Sequence, residues 1–213
     1  MNAEDIWRAV DAEKDSLQGL LAQLSEVQWS RPSLCDRWQV RDVVAHIVLS
    51  ARATPSQLAL GLIRARGDIN RMACETATRH AGGRTDFQLL DELRSTVGSR
   101  FTPFGTTPAD RLMDLLVHGQ DIAIPLGIHH AMPPAAAQLA IERIWTARFP
   151  FRATTRLTGL RLHAVDTGWT AGDGLPIEAP VSALLLLATG RAVAALPQLR
   201  GDGVELVRAR QAR

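Results

Sequence analysis

The chain has 213 residues, a formal net charge of +2 and 46% apolar residues, enough length and apolar content to bury a core in one large domain or two small ones. Its basic residues are spread along the chain, which excludes a nucleic-acid footprint. The two cysteines, Cys35 and Cys74, are far apart in sequence, which excludes a disulfide scaffold or a cysteine-built metal cluster.

The segment from about residue 3 to 25 carries Ile6, Val10, Leu17, Leu20, Leu21 and Leu24 at helical spacing. Its start, MNAEDIWRAVDAEKD, is charged and has no secretory apolar region, so a cytoplasmic protein is expected. QWSRPSLCDRW breaks the stripe, and a second helix is expected from about Val40 to Arg52. An apolar helical stretch, SQLALGLIRA, follows Pro55. Thr85 and Gln88 form a capping box that opens DFQLLDELRSTV. TPFGTTP is turn chemistry. Thr107, Pro108 and Asp110 then supply an N-cap, a first-turn proline and an acidic third residue for a helix ending near Pro125 to Gly127. PPAAAQLAIERIWTARF is one more helix.

Beyond about residue 150 the texture changes. LRLHAVD alternates like a strand, TGWTAGDGLP reads as a turn-rich connection, and APVSALLLLATGRAVAALPQL is helical up to Pro197, in one or two pieces around Gly190. GVELVRA reads as a closing strand and VRARQAR as a solvated basic end. The longest apolar run, VSALLLLATG, is too short to span a bilayer. The expected organisation is an all-α domain over 1–150 and a small α+β domain over 151–213. The abundance of Arg and Ala with almost no Lys reflects a GC-rich coding sequence and carries no mechanism.

Three residues hold the chemistry. Asp114 and His118 lie four apart, which stacks them on one helix face, and His118 sits between Leu115 and Ile122 on a stripe that should face the core. His46 shares the apolar face of Val43 and Leu49 on the second helix. A buried carboxylate and imidazole need a partner, and one divalent metal would satisfy all three groups. Two imidazoles and a carboxylate leave coordination positions open, as in catalytic rather than structural zinc, although such a set also accepts nickel, iron or cobalt. The plainer readings are a satisfied core histidine at His46 and a surface acid–base pair at Asp114 and His118. Asp121 is either the acceptor that orients an imidazole N–H or a helix-end charge. Cys35 reads as a half-buried structural thiol and Trp38 as a residue packed under the second helix. His129 and His130 read as solvent-facing, and no cation of the first domain is evident beside the metal.

At these residues the chain resembles the mycothiol-dependent maleylpyruvate isomerase family. PSLCDRWQVRDVVAHIV resembles its entry C-x-x-W-x-V-x-D-x-x-x-H, with Trp38 eight before His46, and LLVHGQDIAIPLG resembles its second signature. The resemblance covers roughly residues 5 to 150. It implies a DinB-like four-helix bundle, a small α+β C-terminal domain similar to sterol carrier proteins, and metal ligands at His46, Asp114 and His118. The isomerase has Glu where this chain has the shorter Asp114. Arg191 matches a recurrent family arginine thought to reach towards the active site; the bland alternative is a surface Arg after a helix-capping glycine.

The resemblance further implies mycothiol as thiol cosubstrate and a small electrophilic substrate, handled by S-transfer or isomerisation, with S-transfer favoured because the family is broad. Two rivals stand beside it. One is a non-catalytic metal- or ligand-binding protein of the same fold; the other is a metal-dependent hydrolase that holds water where the thiol would sit. A monomer or homodimer is expected, with no nucleic-acid or membrane partner.

Overall fold

The computed structural model describes residues 1–52, 54–103, 105–147 and 151–212. These fall into two compact units, Met1–His130 and Ala131–Arg213.

In the first unit the amphipathic segments become helices: α1 (Ala3–Leu21), the single turn α2 (Glu26–Trp29), α3 (Val40–Ser50), α4 (Pro55–Arg64), α5 (Ile69–Gly82), α6 (Asp86–Arg94) and α7 (Pro108–Ala123). A short 3-10 turn, Ile124–Leu126, closes α7 at Gly127, whose φ of 67° suits glycine. Four helices form a bundle, with α1 and α3 each packed against both α6 and α7. Their buried faces supply its core: Val10, Leu17 and Leu21 from α1, Val43, Val44 and Ile47 from α3, Leu89 and Leu93 from α6, Leu112, Leu115 and Ile122 from α7. The expected capping boxes open α6 at Thr85 and α7 at Thr107. Phe104, inside the expected TPFGTTP loop, lies outside the described residues.

Helix α5 was not anticipated. It buries only Ala77 and Ala81, too thin a stripe to register as periodicity, and packs on α3 and α4. The bundle interior also holds the chain's single lysine. Lys14 is 1% exposed, its Nζ donates to the Thr96 carbonyl at 2.6 Å and lies 3.9 Å from Asp11. Burial, partly offset by Asp11, lowers its pKa to about 8.

In the second unit α8 (Pro134–Thr146) and the short α9 (Ala153–Arg156) precede β1 (Gly159–Ala164), β2 (Thr170–Ala171) and β3 (Gly174–Ala179), and α10 (Val181–Ala188), α11 (Ala192–Ala195) and α12 (Gly203–Gln211) follow. The sheet runs β2-β1-β3, antiparallel between β1 and β2 and parallel between β1 and β3. α8 packs on α10 and buries Ala136, Ala137, Ala140, Ile141 and Ile144, and the Trp145 ring stands edge-on to Trp169 at 5.9 Å. It therefore belongs to this unit, which begins ahead of the boundary expected near residue 150. Residues 148–150, at the end of the expected PPAAAQLAIERIWTARF helix, lie outside the described residues.

Two expectations for this region change. The turn-rich connection contains strands β2 and the start of β3. GVELVRA, expected as a closing strand, is the first two turns of α12: its buried positions are Gly203 and Val207, four apart, a helical spacing that the alternation Val204, Glu205, Leu206 conceals. Gly203 lies so close to the sheet that a Cβ there would come within 2.7 Å of Leu160 Cδ2 and 2.8 Å of Ile177 Cγ1.

Candidate metal centre

The sequence delivers His46 and its partners through two fixed helix starts. Asp42 accepts from the Gln39 backbone N–H at 2.9 Å, a capping contact that sets the first turn of α3 and so the face on which His46 emerges one turn later. Just upstream, Arg37 takes a left-handed φ of 67° and turns the chain into Trp38, whose ring lies 5.2 Å from that of His46 and 6.1 Å from that of His118. The same loop is tied to α7 by the Leu34 N–H, which donates to the Asp121 carbonyl at 3.0 Å. On α7, Asp114, His118 and Asp121 share a face.

One carboxylate oxygen organises the cluster. Asp114 Oδ1 is 3.5 Å from His46 Nε2 and 3.3 Å from His118 Nε2, and one ligand atom from each of the three residues lies within 4.8 Å of the other two. The other ring nitrogen of His118, Nδ1, pairs with Asp121 Oδ2 at 2.8 Å, and Asp121 is fully buried. A carboxylate behind an imidazole orients the ring and presents Nε2 to the cluster. His46 and Asp114 keep 21% and 22% side-chain exposure, against 12% for His118 and none for Asp121, so solvent touches the cluster at His46 and Asp114 rather than behind His118.

Electrostatics favour positive charge between these groups. Burial pushes the Asp114 carboxyl up, but His118 and His46 outweigh it and hold it well below the usual carboxylate range. Burial pushes His118 down, and Asp114, with hydrogen bonds to Asp121 and Cys35, carries it well above the usual imidazole range. A divalent cation offers a more concentrated positive charge to the same atoms. Two imidazole nitrogens and a carboxylate oxygen are donors that suit such an ion. His46, Asp114 and His118 therefore could hold one.

Three residues join the site unannounced. Cys35, expected to be structural, donates from Sγ to Asp121 Oδ2 at 3.0 Å and lies 3.7 Å from His118 Nδ1. Arg111, 4% exposed, reaches Asp114 Oδ2 at 3.3 Å, so a cation does stand beside the cluster within the bundle. Ser50 Oγ is 3.4 Å from the same oxygen. Arg111 is one turn before Asp114, and that spacing was the available signal. Cys35 had none, because its proximity comes from the loop's return onto α7.

Two further expectations resolve differently. His129 is exposed as expected, whereas His130 is buried with Nε2 2.7 Å from Glu13 Oε1. Arg191 lies in the second unit after Gly190 (φ 96°) and donates to the Thr189 carbonyl at 2.8 Å.

Residues 10–109 match the family model described as the mycothiol maleylpyruvate isomerase N-terminal domain. The match contains Cys35, Trp38 and His46 and ends just before Asp114. Among curated proteins none matches the sequence significantly. The fold is shared with a crystal structure of the mycothiol-dependent maleylpyruvate isomerase, at 12% identity and a TM-score of 0.64, covering 95% of this chain and 93% of that one. A histidine-to-alanine mutant of that isomerase matches over the same extents at 13% identity and a TM-score of 0.62. The chain is thus similar to the mycothiol-dependent maleylpyruvate isomerase family in two respects: residues 10–109 match its N-terminal domain, and the isomerase's fold is shared over nearly the whole length.

Proposed function

We propose that the protein is a metal-dependent enzyme that activates a low-molecular-weight thiol, mycothiol by family, for attack on a small electrophile. The observation that carries this reading is the convergence of His46 Nε2 and His118 Nε2 on Asp114 Oδ1, three donors with an exposed side. A divalent metal held there, zinc first, supplies a Lewis acid that makes a thiol more acidic. Asp121 fixes the His118 ring through Nδ1, and Trp38 walls the imidazoles on one side. Arg191 is assigned the anchoring of an acidic substrate, a task that suits a planar guanidinium.

Isomerisation and S-transfer share the first event, attack of the thiolate sulfur on an electrophilic carbon. Addition to an activated cis double bond, rotation about the resulting single bond and expulsion of the thiolate return an isomer, whereas displacement of a leaving group, which departs with the bonding electron pair, gives a conjugate. The structural neighbour's named reaction makes maleylpyruvate the first substrate to assay, with an alkylating electrophile alongside.

The test is elemental analysis of purified protein followed by both assays with and without added thiol. About one divalent metal per chain and turnover that requires thiol is the expected result. Turnover without thiol would favour metal-dependent hydrolysis, and metal without turnover a binding protein.

A further inference from the structure

Arg111 is an unusual residue to bury. Its side chain is 4% exposed, and Nη2 has no hydrogen-bond partner among the described residues. Its ion pair there is with Asp114 Oδ2, at 3.3 Å. Burying a guanidinium carries a desolvation cost that an apolar side chain of similar length would avoid. It also stands in the same interior as Lys14, another cation. Packing alone does not account for a second positive charge at this position.

The division of labour at Asp114 does. Oδ1 faces the two imidazole nitrogens, while Oδ2 accepts from Arg111 Nη1 and Ser50 Oγ. We infer that Arg111 is a positioning residue that reserves Oδ2, so that Asp114 offers a metal a single oxygen with part of its charge already neutralised. This rests on the metal-centre reading above. The guanidinium and a divalent ion repel one another across the shared carboxylate, so Arg111 weakens metal binding. In exchange the site keeps more positive charge at its open side, where an incoming thiol must lose its proton.

The experiment uses the full-length protein with Co2+ as probe. Wild type, Arg111→Met, Arg111→Gln and Arg111→Lys are titrated while the visible spectrum is recorded, and affinity is measured by competition with a chromophoric chelator. The neutral variants are expected to bind Co2+ at least about tenfold more tightly, with weaker visible bands as the carboxylate supplies its second oxygen. Arg111→Lys keeps the charge and should retain the wild-type affinity and spectrum. Arg111→Gln keeps a polar head and serves if Arg111→Met does not fold. Neutral variants that bind Co2+ no more tightly, with an unchanged spectrum, would make Arg111 a structural residue and overturn the inference. A wild-type protein that takes up no Co2+ or Zn2+ would instead remove the metal-centre reading, and this inference with it.

Discussion

At the scale of single residues, the proposed centre makes separable predictions. His46→Ala and His118→Ala each remove a donor and should lower the metal content from about one per chain to near none by elemental analysis. Asp121→Asn keeps the shape behind His118 but weakens the acceptor at Nδ1, so metal should remain with affinity reduced roughly 10- to 100-fold. If Asp121→Asn abolishes binding while Asp114→Ala preserves it, the donor set is wrong. His46, Asp114 and His118 were legible in the sequence because each sits on an apolar helical stripe, where a polar side chain needs a reason. Cys35 and His130 were not. Cys35 meets Asp121 only because the loop before α3 folds back on α7, and His130 is buried by its pairing with Glu13, 117 residues away in sequence. No local pattern encodes either contact.

At the scale of elements, one small feature sets the start of α3 and another lets α7 approach α1. Asp42, 6% exposed, caps the first turn of α3. Asp42→Ala should lower stability by about 1 kcal/mol, read from denaturant midpoints. Gly119 sits mid-helix, where glycine costs roughly 0.5–1 kcal/mol relative to alanine. Its place is explained by what a Cβ would meet: the His130 ring at 3.0 Å and Glu13 Oε1 at 3.1 Å. Gly119→Ala should therefore destabilise by about 1–3 kcal/mol despite the better helix former, and a gain in stability would show that the Glu13–His130 pair yields freely. Capped, amphipathic helices such as α6 and α7 were readable directly. α5 escaped because its buried face is two alanines, and α12 because three alternating residues imitate a strand. β3 was hidden by Gly174 and Pro176, residues that argue locally for a turn; its strand character comes from parallel pairing with β1.

At the scale of the molecule, the two units invite a division of labour. Expressed alone, residues 1–130 contain all three proposed donors and should retain about one metal per chain, while thiol-dependent turnover is lost if Arg191 takes part. Arg191→Lys in the full chain should then reduce turnover without changing metal content. Global stability carries a second signature. Lys14 titrates near pH 8 when folded, against an ordinary value of 10.5, and the charged groups around it are Asp11, Asp15, Arg100 and Arg111. The folded state thus binds fewer protons than the unfolded chain between these values, and stability should rise with pH across that window. The gain approaches about 3 kcal/mol for a shift of this size. It should be greatest in its contribution above pH 10.5 and vanish below pH 8. Denaturant unfolding of wild type and Lys14→Met across the range checks this, since the variant should lack the rise. The chain has no tyrosine, so phenol ionisation does not overlap the measurement.

The burial of that one lysine also makes the side-chain amine a covalent clock. Every other basic side chain in the sequence is arginine or histidine, so an acylating reagent finds no lysine on the native surface. Modification of Lys14 must wait until the bundle opens between α1 and the Thr96 carbonyl. The rate at which its peptide gains mass would report that opening, and metal that binds the folded bundle should slow it.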